Sequence, residues 1–233
     1  MKTCEETTYD QLKELILAGD FPTGEFLPQR GLAQRVGATI VTLRSALRLL
    51  SNDGLIENVP KWGVRIPEET CKTISERYYV RELLEAGAAE KLREHHTDEM
   101  IAELSALAKE CDRMMPDVPD AWRAFAEKHS RLHLRIAELT GNRLLTETLS
   151  RLNFRSMMLS NARNGWVIQR EYLLEAHHET FIKGLFSLPH AEAIALVHSH
   201  VQRGLRMELA VLEDKEKPAA EPGLGGRFVK GNA

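Results

Sequence analysis

The chain has 233 residues, of which 43% are hydrophobic, 28% charged and 6% aromatic, and its formal net charge is −3. Those values exclude a disordered chain, a collagen and a disulfide scaffold: there is apolar side chain enough for a core, and the three cysteines, Cys4, Cys71 and Cys111, stand far apart. No run approaches the ~18 to 20 apolar residues that span a bilayer, and the polar start MKTCEETTYDQ lacks the apolar centre of a leader, so a cytoplasmic protein with reduced thiols is expected.

Leu12, Leu15 and Ile16 share one face of a helix predicted from Thr8 to Leu17, closed by Gly19 and the Pro22-Thr23-Gly24 turn. A short helix follows over Gln29 to Val36. A third runs from Val41 to Asn52, with Leu43, Ala46, Leu47 and Leu50 at i, i+3, i+4 and i+7. Thr39, in the tight Gly37-Ala38-Thr39 connection, is placed as its N-cap. After Gly54 the period becomes two-fold: Leu55, Ile56 and Val59 lead into Pro60-Lys61-Trp62-Gly63, and Val64-Arg65-Ile66 returns. Three helices and a two-stranded ribbon make residues 1–67 a winged helix-turn-helix, with 68–73 as a linker.

Helical period continues from Ile74 to Asp214. Helices are predicted over 74–95, 98–115, 119–139, 142–160, 167–187 and 190–213, with breaks at Pro116, Pro119, Gly141, Gly165 and Pro189. The expected fold is therefore mostly α, an N-terminal winged helix-turn-helix plus a C-terminal all-helical bundle over 74–214, large enough for its own core. Met157 and Met158 read as part of that core. Residues 215–233, with Pro218, Pro222 and a Gly-Leu-Gly-Gly run, read as a disordered tail.

The net charge hides a local excess. From Pro28 to Ile66 the basic residues are Arg30, Arg35, Arg44, Arg48, Lys61 and Arg65, against Asp53 and Glu57 as the acidic ones. Positive charge is thus concentrated where a helix-turn-helix and its wing meet phosphates, whose neutralisation supplies most non-specific DNA affinity. Charge alone is equally compatible with a solvated face; the helix-turn-helix spacing and the wing turn favour DNA.

Within this segment Tyr9-Asp10-Gln11-Leu12, Ile16, Gly19, Pro22-x-Gly24 and Leu27-x-x-x-x-Leu32-Ala33 stand in a recognisable order. So do Thr39-Ile40-Val41-Thr42-Leu43-Arg44-x-Ala46-Leu47, Leu50-x-x-x-Gly54-Leu55-Ile56 and Pro60-x-x-Gly63. The order resembles the winged-helix domain of the GntR family over nearly all of 8–67. The resemblance implies DNA contacts from Arg30, Thr39, Thr42 and Arg44, with Lys61 and Gly63 in the wing. One position departs: Ile40 stands where the family usually has an arginine reading a guanine edge, and isoleucine cannot make that bidentate contact.

Arg81-x-x-Leu84-Glu85, His133 followed by Gly141-Asn142, then His178 and His200 resemble the all-helical effector domain (FCD) of the FadR-type branch. The resemblance implies a divalent metal at His129, His133, His178 and His200, with histidine at the first position in place of the family's aspartate. Two physical points agree. His129 and His133 are one helical turn apart and face one way, and His178 and His200 fall on two helices joined at Pro189. An i, i+4 histidine pair alone is more often an ordinary surface or core feature. His177 and His198 are rivals for the last two places, and His95, His96 and His190 are expected to be exposed. An all-imidazole set favours zinc or nickel over manganese or magnesium.

Arg81 also resembles an arginine lining the family's effector pocket, with a surface salt bridge to Glu85 as the plainer reading; Asn142, Arg155 and Tyr172 are further candidates. The function expected is a DNA-binding transcriptional regulator, a repressor, homodimeric on a short inverted-repeat operator and controlled by a small carboxylate effector at the metal site. A metal-dependent enzyme is the competing class. It finds no HExxH, no paired Glu-x-x-His, no nucleophile elbow and no phosphate loop. A regulator with a purely structural metal is the other alternative.

Overall fold

Thr3 and Glu6 cap one another at the start of the chain: the Glu6 backbone N donates to Thr3 Oγ1 at 3.1 Å, and the Thr3 N donates to Glu6 Oε2 at 2.8 Å. This capping box begins α1 (Cys4–Leu17) well before the Thr8 read from periodicity. The structure, a computed structural model, describes residues 2–59, 61–113, 119–160 and 178–216. Helices α2 (Gln29–Arg35) and α3 (Ile40–Asn52) follow, and Thr39 Oγ1 accepts from the Thr42 N at 3.2 Å as the α3 cap.

The ribbon is three-stranded, which corrects the two-stranded expectation. Strands β1 (Phe26–Leu27), β2 (Glu57–Val59) and β3 (Gly63–Arg65) form an antiparallel sheet in the order β1-β3-β2. Phe26 pairs with Arg65 and Leu27 with Val64, so β3 is the central strand. A two-residue strand carries too little alternation to be read in advance; it forms here because it covers an edge of β3 that would otherwise stay unpaired. Leu12, Ile16, Leu43, Ala46, Leu50, Leu55, Val64 and Ile66 close the core between sheet and helices.

The linker is shorter than expected. Thr70 and Thr73 cap each other, so Cys71, Lys72 and Thr73 already belong to α4 (Cys71–His95). Then come α5 (Asp98–Arg113), α6 (Pro119–Leu139), α7 (Arg143–Ser160), α8 (His178–Ser187) and α9 (His190–Glu216). Helix α9 overruns the expected domain end at 214 by a fraction of a turn. Residues 161–177, including the first part of the helix predicted over 167–187, and the tail 217–233 lie outside the described residues. Ile74, Leu92, Leu104, Leu132, Leu149, Ile182, Leu185, Val197 and Val201 form a second core, separate from the first. Helix α4 packs along α9, α6 against α4, α5 and α7, and α8 against α5 and α9. The inner faces of α4, α6, α8 and α9 thereby meet.

Candidate metal centre and nucleic-acid interface

Helix α6 turns His129 and His133 to the same side, and α9 brings His200 to meet them. His133 Nε2 lies 3.1 Å from His129 Nε2 and 3.2 Å from His200 Nε2. One ligand atom from each of the three lies within 4.8 Å of the others. Two nitrogens about 2.05 Å from one cation sit roughly 2.9 Å apart at a right angle and roughly 3.3 Å apart at the tetrahedral angle. The observed separations fall between these values.

The fit extends to the proton positions. His133 Nδ1 is 2.7 Å from Glu85 Oε2, and both side chains are buried. A carboxylate at Nδ1 turns Nε2 toward the other imidazoles, and is the usual second partner of a metal-bound histidine. Burial drives the pKa values of His129 and His200 well below the ordinary value, and His133 adds to the effect. Both rings are therefore neutral donors at neutral pH. The donor set suits a divalent cation.

His178 stands beside this trio rather than within it. Its ring centroid is 4.9 Å from that of His129 and 5.5 Å from that of His200. Asp112 accepts from its Nδ1 at 2.7 Å and from its backbone N at 2.9 Å. Burial lowers the His178 pKa, partly offset by Asp112. Its Nδ1 thus faces a carboxylate, as that of His133 does. The rival His198 is engaged elsewhere, 2.7 Å from Glu82 through Nδ1; His177 lies outside the described residues. His95, His96 and His190 are exposed, as expected.

Behind the trio runs a buried chain of polar contacts. Glu85 Oε1 accepts from Arg81 Nε at 2.5 Å, and Arg81 Nη1 donates to Tyr78 OH at 3.3 Å. Tyr78 OH donates to Glu208 Oε1 at 2.8 Å, and Glu208 Oε2 accepts from Arg77 Nη2 at 2.7 Å. Arg77 also lies 3.7 Å from Glu69, just before α4. Burial alone would raise the Glu85 pKa, but Arg81 and His133 hold it below the usual carboxylate range. The Arg81–Glu85 pair, a surface salt bridge in the plainer of the two readings, is thus interior, where deleting one partner costs about 3–5 kcal/mol rather than a few tenths.

The remaining expected effector contacts divide. Asn142 is exposed and its Oδ1 accepts from the Leu145 N at 3.1 Å, which starts α7. Arg155 lies on α7 with its side chain outside the described set, as do Met157 and Met158, and Tyr172 is outside it altogether. Two groups escaped sequence reasoning. Asp112 has no local signature, since its partner lies 66 residues away. Asn153, buried on α7, has neither its Oδ1 nor its Nδ2 paired among the described residues.

On the winged helix, Arg30, Thr39, Arg44 and Lys61 are exposed, and Thr42 is half-buried. Arg44 Nε donates to Gln29 Oε1 at 3.2 Å, which braces the first turns of α2 and α3 against each other. Ile40 packs partly into the core instead of facing outward. Gly63 has φ 106°, a conformation that favours glycine.

The sequence model of the bacterial regulatory proteins of the gntR family matches residues 5–66, and that of the FCD domain matches residues 76–203. The chain belongs to the GntR family, in its FCD-carrying branch. This GntR regulator is 28% identical over 145 residues to the uncharacterized HTH-type transcriptional regulator YdhC of Bacillus subtilis (strain 168), a match covering 62% of this chain and 64% of that protein. It is 24% identical over 103 residues to an uncharacterized HTH-type transcriptional regulator in an unstable DNA locus of Streptomyces ambofaciens, covering 44% of each. The matches span less than two thirds of either relative. Among solved structures, E. coli McbR/YncC superposes with a TM-score of 0.70 at 19% identity, over 90% of this chain and 99% of that one. A GntR protein from Rhodococcus sp. RHA1 gives 0.69 at 17% identity, over 88% and 97%. These similarities establish the fold. Both sequence models and the named relatives are those of bacterial transcriptional regulators.

Proposed function

We propose that this GntR regulator is a homodimeric repressor whose grip on a short inverted-repeat operator is released by a small organic acid at a zinc or nickel site in the helical domain. Arg30, Thr39, Thr42, Arg44, Lys61 and Gly63 hold the DNA, and the protein acts in the cytoplasm. The observation that carries the reading is the convergence of three imidazoles, with Nδ1 of His133 set against Glu85. When bound, the cation supplies a Lewis-acidic position at which a carboxylate oxygen completes the coordination. Arg155 and Tyr172 are the further residues proposed to contact the acid. Arg81 acts through Glu85, and the unpaired amide of buried Asn153, on a helix packed against α4, α6 and α9, supports a polar ligand in that region.

This chain's own residues carry the signal. An anion near the trio alters the pull on Glu85, and the buried contacts lead from there through Arg81, Tyr78, Glu208 and Arg77 to Glu69 at the linker. Linkage requires that an acid that weakens operator binding be bound more weakly by the operator complex, with a coupling of ~1–3 kcal/mol for 5- to 150-fold release. An exposed apolar stripe on α4, Tyr79, Val80 and Leu83, supports the dimer.

A purely structural metal is the second reading, favoured by the placement of His178: a fourth imidazole would close the tetrahedron. The test is elemental analysis of protein purified without chelator, followed by operator titration with and without a panel of small carboxylates. About one zinc or nickel per chain with acid-dependent release supports the first reading. Metal with unchanged operator affinity supports the second, and an empty site after zinc and nickel titration refutes both.

A further inference from the structure

Trp62 sits at the tip of the β2–β3 turn with 71% of its surface exposed. Folding gives no reason for an indole there, since tryptophan is ordinarily largely buried and this one lies outside the winged-helix core. It is nevertheless fixed. Its ring stacks on Phe26, with centroids 5.6 Å apart and planes at 28°, and its backbone N donates to Val59 O at 3.0 Å. Phe26 is in turn backed by the Arg65 guanidinium, 5.7 Å from its ring centroid and held by Glu57 at 2.8 Å. The preceding residue, Lys61, has φ 71°, alone among described non-glycine residues in the left-handed region, which disfavours a side chain with a Cβ. Backbone of that kind persists where surrounding structure holds it, often at ligand contacts.

We propose that Trp62 is a minor-groove wedge, an aromatic reader of DNA deformability at the flanks of each half-site, with Phe26 as its positioning residue. The inference rests on the reading of this face as the operator-binding surface and deepens it. The winged-helix segment from Pro28 to Ile66 carries six basic residues against two acidic ones, a balance that suits a polyanionic partner. Ile40, partly buried against the core, has no group for bidentate guanine readout, so the recognition helix offers one direct base contact fewer. Apolar side chains set into the minor groove partly unstack a base step, and the cost depends on the sequence deformed, so they select steps the protein does not hydrogen-bond. Lys61, exposed and next to Trp62 in sequence, adds a positive charge to the turn.

The test uses the full-length protein and a labelled duplex of about 30 base pairs, room for two half-sites one turn apart, selected by the protein from a randomised pool. Trp62→Ala is expected to weaken binding about 5- to 150-fold, the range for loss of one aromatic–base stack, with the loss unchanged by added salt. Arg44→Ala, which removes a phosphate-facing charge, is expected to lose less as salt rises. In a Trp122→Phe, Trp166→Phe background, emission from Trp62 is expected to be quenched by the duplex and shielded from acrylamide. Flanking TpA steps are expected to bind more tightly than GpC steps in the parent and equally in Trp62→Ala. If Arg44→Ala weakens binding while Trp62→Ala does not, the wedge is refuted and the operator face stands. Shielding of Trp62 on self-association without DNA, or by another protein in place of DNA, also refutes it. Selection of no duplex at all refutes both.

Discussion

Asp112 holds His178 at two points, its Oδ1 accepting from the backbone N at 2.9 Å and from ring Nδ1 at 2.7 Å, while Oδ2 takes the Glu179 N at 3.0 Å. One carboxylate from α5 thus both starts α8 and sets the tautomer of a histidine at the edge of the imidazole trio.

The two roles separate by substitution. Asp112→Ala is expected to lose about 1 kcal/mol from the missing helix cap and to weaken zinc binding about 10- to 100-fold. Asp112→Asn keeps an acceptor for the helix start, so its stability should stay near the parent's while zinc affinity still falls. Urea unfolding of the metal-free protein and competitive zinc titration measure the two effects. Unchanged zinc affinity in both variants would remove His178 from the site.

Arg81 and Glu85 should behave as one unit. Either Arg81→Met or Glu85→Met leaves a buried charge without its counterpart and is expected to destabilise by about 3–5 kcal/mol, whereas the double variant should recover much of that loss. A double-mutant cycle in urea gives the coupling directly. Additive losses would mean that the pair is solvated in solution.

Asn153 offers the opposite sign. Its buried amide lacks protein partners among the described residues, so Asn153→Leu removes a desolvation penalty of about 1–3 kcal/mol and should raise the Tm of the metal-free protein. A shift of about 2–4 °C per kcal/mol is expected for a chain of this size. If Asn153 meets the effector, the same variant should also lose protection by carboxylates. A lowered Tm would show that the amide is satisfied after all.

The thiols differ in reactivity. Cys4 and Cys71 are exposed, whereas Cys111 is buried in the helical core and burial pushes its pKa up to about 12. Since the thiolate is the reactive form, a chromogenic disulfide should titrate two thiols rapidly in the native protein and the third only on unfolding. Three fast thiols would indicate that the α5 region opens readily.

The fold was legible where signals are local. Leu43, Ala46, Leu47 and Leu50 mark α3 by period alone, and Thr39 marks its start. The Thr3-x-x-Glu6 capping box was equally local, and weighing it would have placed the start of α1 correctly. Strand β1 was not legible, because Phe26 and Leu27 become a strand only when β3 lies beside them. The histidines of the trio were legible through spacing and resemblance. Their support was not: Glu85 meets His133 across 48 residues and Asp112 meets His178 across 66, and no short-range pattern encodes such pairs. Arg81 shows the same limit, since its sequence neighbourhood reveals the salt-bridge partner but not the burial that makes the pair interior.

Helix α4 begins at the linker and passes the imidazole trio without interruption. Between Thr70 and Glu85 it rises about 22 Å at 1.5 Å per residue. Under the proposed release mechanism it would work as a lever with its short stroke at Glu85: a tilt of about 5° there would carry the Thr70 end by about 2 Å. In the proposed homodimer both arms would swing together, and the distance between the two recognition helices would change by up to twice that amount. A duplex fixes that distance by its helical repeat, so a displacement no larger than one bond network at Glu85 can absorb becomes a mismatch in register at the operator.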